Sequence, residues 1–140
     1  MTRRIETTSA AETEALGAEL AATLSPGDVV LVKGEIGAGK TTFVRGACGA
    51  LGIGSTVTSP TFTIGQRYPG PVPVSHLDLF RVGELGAEDP ALLEDYLRPD
   101  TIAFVEWPPD DDEAVEALAH IARRVRLAHG GGDRRTVEID

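Results

Sequence analysis

The sequence predicts an α/β fold: a single P-loop NTPase-like domain over residues 1–140, with a mostly parallel core sheet and antiparallel hairpin excursions. Three observations lead there. Residues 34–42 read Gly34-Glu35-Ile36-Gly37-Ala38-Gly39-Lys40-Thr41-Thr42 and fill the pattern G-x-x-x-x-G-K-[ST] without a mismatch. The run Asp28-Val29-Val30-Leu31-Val32 before it is apolar and β-branched, as a buried strand is, and Phe43, Val44, Ala47, Ala50 and Leu51 after it recur at helical spacing. A second apolar run, Thr101-Ile102-Ala103-Phe104-Val105-Glu106, predicts another buried strand, stopped by Trp107-Pro108-Pro109.

The other elements follow in chain order. Residues 4–8 suit a short edge strand. Thr8 or Ser9 then serves as an N-cap, with Glu12 three residues after Ser9 completing a capping box. Ala15, Leu16, Leu20 and Leu24 share one face of the amphipathic helix that follows, and Ser25-Pro26-Gly27-Asp28 turns it into the first buried strand. Gly52-Ile53-Gly54-Ser55 closes the second helix. Residues 56–68 favour extended structure around Pro60, Pro69-Gly70-Pro71 marks a turn, and residues 72–79 return as a strand, an antiparallel excursion where many P-loop enzymes place a crossover helix. Residues 84–97 read as helix, in two pieces or starting late because of Pro90. The acidic run at 110–113 opens a polar loop or a turn of helix. Val125 and Leu127, then Val137 and Ile139, alternate with polar residues on either side of Gly130-Gly131-Gly132-Asp133, which predicts a C-terminal hairpin.

Composition narrows the function. Thirteen basic against 22 acidic residues give a formal charge of −9, which argues against a broad basic surface for direct nucleic-acid binding, though not against a protein partner that holds the nucleic acid. Cys48 is the only cysteine, so no internal disulfide forms, and its place in the second helix suits a small buried apolar residue better than a nucleophile. No apolar run approaches membrane-spanning length and no apolar signal core follows Met1-Thr2-Arg3-Arg4-Ile5, which makes the cytoplasm the expected location.

Strand, glycine loop and helix start together make a phosphate cradle: backbone N–H groups turn inward and the helix dipole favours an anion. In such a cradle Lys40 reaches the β- and γ-phosphates and the Thr41 hydroxyl takes a Mg²⁺ position. The metal side needs a carboxylate at the end of a buried strand, and Glu106 has that form; the plainer alternative is a strand end in solvent. Asp78 ends the strand of His76 and Leu77, where it orients the attacking water, sits in the metal's outer shell, or is simply solvated. Thr58-Ser59-Pro60-Thr61-Phe62 lies where NTPases often carry a switch segment that contacts the γ-phosphate; the alternative is a proline-marked strand entry. His76 suits a structural hydrogen bond better than catalysis, Arg81 either senses phosphate or pairs with acids, and Trp107 either packs over the nucleotide or covers the core.

These segments, with Ser59-Pro60-Thr61-Phe62, His76-Leu77-Asp78-Leu79-Phe80-Arg81 and Glu106-Trp107-Pro108 in that order, resemble the TsaE (formerly YjeE) family over nearly the whole chain. Members are small bacterial ATPases needed for threonylcarbamoyladenosine modification of tRNA beside the anticodon. The resemblance implies ATP and Mg²⁺ as ligands. It assigns ATP phosphates to Gly37, Ala38, Gly39, Lys40, Thr41 and Thr42, magnesium to Thr41 and Glu106, and the acid needed for hydrolysis to Asp78. It also implies a mobile switch containing Thr61, a place beside the nucleotide for Trp107, and adenine contacts from Ser9 and Arg134. By the same resemblance, the protein acts on a TsaB–TsaD complex, meets tRNA only through that complex, and is a weak ATPase alone. The alternative class is a small-molecule kinase on the same cradle, and a third reading is a nucleotide-gated binding module with negligible turnover.

Overall fold

The computed structural model describes residues 2–35, 37–58, 65–79, 90–107 and 113–140. The Ser59-Pro60-Thr61-Phe62 segment, Phe80, Arg81, Pro108, residues 84–89 of the expected helix and residues 110–112 of the acidic run lie outside them.

Seven strands form one sheet in the order β1-β7-β6-β2-β5-β4-β3. Its centre is parallel: β2 (Asp28–Gly34) lies between β5 (Ile102–Glu106) and β6 (His120–His129), and β4 (Val74–Asp78) lies on β5. β3 (Gly65–Tyr68) is antiparallel to β4 at one edge, and β7 (Arg135–Ile139) followed by β1 (Arg3–Thr7) is antiparallel at the other. The antiparallel excursion expected after the second helix is therefore β3 alone, because β4 belongs to the parallel core. The C-terminal hairpin forms as expected, its turn closed by Gly130 N–H to Arg134 O at 2.8 Å.

Val29, Leu31, Val30 and Val32 of β2 are all buried, since both faces of a central parallel strand are covered. Val30 and Val32 pack with Phe104, Val125 and Leu127 beneath α1 (Ala10–Ala21) and α2 (Lys40–Ala50). Val29 and Leu31 pack with Leu77, Val105, Leu97 and Val115 on the opposite side, next to α3 (Pro90–Tyr96) and α4 (Glu113–Glu116). The described part of α3 opens on Pro90, a residue that the first turn of a helix tolerates. Ser9 caps α1, accepting from Glu12 N–H at 3.1 Å, while the Glu12 carboxylate accepts from the N–H and hydroxyl of Thr8, each at 2.8 Å. The reciprocal bond of the capping box thus goes to the residue before the cap.

α1 and α2 touch backbone to backbone. A Cβ on Gly17 would stand 2.1 Å from the Phe43 carbonyl oxygen, and one on Gly46 would stand 1.9 Å from that of Glu14. Only glycine permits this approach, which brings the start of α1 to the loop before α2.

Candidate functional site

β2, β5 and β4 run parallel, so Gly34, Glu106 and Asp78 end on the same edge of the sheet. Here the chain leaves β2 for β3 and β4 on one side and later leaves β5 for β6 on the other, the place where open α/β sheets leave a crevice for ligands. Gly34, Glu35, Gly37, Ala38 and Gly39 lie at that edge. Gly39 (φ +97°) turns the chain into α2, a conformation side chains resist. It brings no side chain to cap the helix, and the first turn of α2 carries no acidic residue. The amides of that turn and the positive end of the helix dipole are therefore left for an anion.

Lys40 folds back along this loop. Its Nζ donates to the carbonyl oxygens of Gly34 at 2.6 Å and Glu35 at 3.0 Å, and lies 4.3 Å from the centre of the Trp107 ring. Burial lowers its pKa, against the opposing pull of the Glu106, Asp78 and Glu35 carboxylates. Trp107 has φ +52° and is the only non-glycine residue with a positive φ among the described residues, a strain of about 1–3 kcal/mol that clusters at functional sites. Its N–H donates to Val32 O at 3.2 Å, and its ring sits against the Lys40 ammonium.

Alternation places the two carboxylates together. Ile102, Phe104 and Val74 face α2, so Glu106 and Asp78, two or four residues on, face it too, and they are register partners on β5 and β4. Glu106 is buried, and its Oε2 accepts from the Thr41 hydroxyl at 3.4 Å. The same oxygen is hydrogen-bonded to Nε2 of the fully buried His76, whose Nδ1 meets the Tyr68 hydroxyl at 3.2 Å. Burial pushes the Tyr68 phenol up, with smaller contributions from Cys48 and Glu106, so its O–H stays in place at neutral pH. Among the described residues, no three His, Cys, Asp or Glu side chains gather into a metal-holding cluster. The donors present are a hydroxyl and a carboxylate, the hard oxygen set with which Mg²⁺ is held when phosphates and waters complete its shell.

Gly37, Ala38, Gly39, Lys40, Thr41 and Thr42 thus lie together with Glu106, Trp107 and Asp78 at one edge, while Thr61 falls outside the described residues. Ser9 is occupied as the α1 cap, and Arg134 is exposed at the turn before β7. Its neighbour Arg135 approaches the loop instead: Thr13 Cγ2 at 3.8 Å, Arg135 Cγ at 3.9 Å and Leu127 Cδ2 at 3.6 Å surround the point where a Gly39 Cβ would be. Arg135 Nη1 donates to Gly132 O and Arg134 O, both at 2.7 Å, while its buried Nε has no hydrogen-bond partner among the described residues. The sequence held the signal for Arg135, because it shares parity with the core residues Val137 and Ile139, whereas Arg134 does not. Thr13 gave no such signal.

The sequence model of the family described as threonylcarbamoyl adenosine biosynthesis protein TsaE matches residues 7–137. The tRNA threonylcarbamoyladenosine biosynthesis protein TsaE of Bacillus subtilis (strain 168) is 42% identical over 127 residues, covering 90% of this chain and 77% of that protein. Its counterpart from Streptomyces coelicolor is 39% identical over 122 residues, covering 84% and 80%. The crystal structure of Bacillus subtilis YdiB superposes with a TM-score of 0.75 at 30% identity over 99% of this chain and 84% of that one. Family model, relatives and fold agree across nearly the full length: the chain belongs to the TsaE family.

Proposed function

We propose that this protein is the ATP-binding and ATP-hydrolysing subunit required for threonylcarbamoyladenosine modification of tRNA. It acts on a TsaB–TsaD complex in the cytoplasm and meets tRNA only through that complex. The observation that carries the reading is the meeting of the uncapped α2 start, Lys40, Thr41 and Glu106 at one edge of a parallel sheet in a chain of the TsaE family. Among the described residues, no helix is long and apolar enough to cross a membrane.

The amides of Gly37–Thr42 would receive the phosphates, and Lys40 would exchange the Gly34 and Glu35 carbonyls for their oxygens. Thr41 and Glu106 would hold Mg²⁺, which when bound neutralises charge between the β- and γ-phosphates. His76 keeps the Glu106 carboxylate in place, and Trp107 shields the Lys40 ammonium from water. Asp78, beside Glu106, would orient the water that attacks, as base or as outer-shell ligand. Thr61 would belong to a switch that closes over the phosphates, and adenine would lie between the α1 start and the C-terminal hairpin, near Ser9, Thr13, Arg134 and Arg135.

The test is phosphate release from ATP by the purified protein with Mg²⁺, with and without purified TsaB–TsaD. Slow release that rises on addition, and disappears in Lys40→Ala, is expected. Absence of a response to the complex overturns the coupling. Phosphate transfer to a small acceptor would instead make the protein a kinase.

A further inference from the structure

Glu106 is the inner end of a buried polar chain that crosses three strands. From Glu106 Oε2 it runs to His76 Nε2, through the ring to Nδ1, and on to the Tyr68 hydroxyl at 3.2 Å. Tyr68 is hydrogen-bonded to Gln66 Oε1 and lies 3.5 Å from Thr58 O, while Gln66 Nε2 lies 3.5 Å from Thr58 Oγ1. His76 is wholly buried, and Tyr68 and Glu106 nearly so. Buried polar groups of this kind cost stability unless every member is satisfied, and they hold their partners in one geometry when they are.

Two polarities are open to the chain. In one, His76 Nδ1–H donates to Tyr68, Tyr68 to Gln66 and Gln66 to Thr58; in the other, with the Gln66 amide turned over, each donor becomes an acceptor. With a neutral imidazole the first leaves a bare Nε2 against Glu106, so the second, with Nε2–H directed at the carboxylate, is the polarity that orients it. The far end is looser, with both contacts to Thr58 at 3.5 Å.

We propose that His76 and Tyr68 are positioning residues that hold the Glu106 carboxylate on the metal side of the phosphate cradle, at the end of a polar chain anchored at Thr58. This rests on the reading of Glu106 as a Mg²⁺ ligand. Neither residue touches the nucleotide; both act through the carboxylate. Partners behind a metal ligand commonly change metal affinity about 10- to 100-fold when removed.

The experiment is Mg²⁺ titration of the protein saturated with ADP, followed by the fluorescence of Trp107, the single tryptophan, and by calorimetry. His76→Gln is expected to raise the half-saturating Mg²⁺ concentration about 10-fold or more. Tyr68→Phe, which deletes one oxygen and is the safer variant for folding, should raise it by a smaller factor. Affinity for ADP without Mg²⁺ should stay the same in both. The Tyr68→Phe shift should also vanish in a Glu106→Gln background, since the chain then has no carboxylate to orient. A lowered melting temperature with an unmoved Mg²⁺ titration in Tyr68→Phe would make the chain merely structural and overturn the proposal. An unmoved titration in Glu106→Gln itself would overturn the metal-ligand reading beneath it.

Discussion

The close crossing of α1 and α2 makes a prediction with opposite signs at two glycines of one helix. In Gly46→Ala the new Cβ would lie 1.9 Å from the Glu14 carbonyl oxygen, 2.5 Å from its carbon and 2.6 Å from Glu14 Cα. All three are backbone atoms, so no side chain can swing aside. An ordinary contact near 3.4 Å requires α1 to retreat by about 1.5 Å, which also opens the matching contact of Gly17 with Phe43 O. Overpacking of this kind costs about 1–3 kcal/mol, and a backbone collision belongs at the upper end. Alanine returns about 1 kcal/mol of helix propensity, leaving a net loss of roughly 2 kcal/mol. Gly49, one turn on, has nothing within 4 Å of its Cβ position and is exposed, so Gly49→Ala keeps only the propensity gain of up to about 1 kcal/mol. At about 3–4 °C per kcal/mol for a chain of this size, the two variants should melt about 10 °C apart, on opposite sides of the parent. Thermal unfolding followed by circular dichroism measures it. If both variants melt above the parent, propensity alone governs α2 and the backbone crossing is refuted.

Three further outcomes follow from single residues. Cys48 is buried and its thiol is pushed up to about 12, so at neutral pH iodoacetamide should label it only as fast as the protein unfolds; prompt labelling of the native protein would contradict its burial. Glu12 is held below the usual carboxylate range, first by the Thr8 N–H and then by its hydroxyl. That contribution is fully present above the ordinary carboxylate pKa and is lost as pH falls through the lower folded value, so Glu12→Gln should flatten part of the acid limb of stability against pH, and an unchanged limb would refute the bond. Arg135→Ala should weaken ADP binding several-fold more than Arg134→Ala, as measured by calorimetry, because only Arg135 approaches Gly39; the reverse order would return the contact to Arg134.

Much of this architecture is legible in the sequence because its signals are local. The glycine loop, the apolar run of β2 and the run closing on Glu106 each carry their own signal. The beginning of β6 was not legible, for a physical reason. Ile121 pairs with Val29 but Arg123 pairs with Val30, so Ala122 is an extra residue that shifts the register. Ile121 consequently joins the core on the α3 and α4 side, whereas Val125 joins the core under α1 and α2, although their numbers share parity. A pattern of period two cannot be read across a bulge.

The candidate site divides along the same line. Lys40 and Thr41 lie where the motif puts them at the start of α2, and Asp78 and Glu106 where alternation puts them on their strands. Those whose place depends on which strands become neighbours were hidden. His76 read as a structural hydrogen-bonder, and it is one, but its partners are Glu106 from β5 and Tyr68 from β3, and no spacing within β4 specifies either. Parallel pairing of β4 with β5 brings His76 opposite Phe104 and Asp78 opposite Glu106, while antiparallel β3 sets Gln66 opposite His76. One buried imidazole therefore reaches a carboxylate on one side and a phenol on the other, because β4 lies between β5 and β3 and the register puts all three side chains on one face. The antiparallel edge strand thus does more than extend the sheet: it supplies the hydroxyl that holds His76, and through His76 the carboxylate at the mouth of the glycine loop.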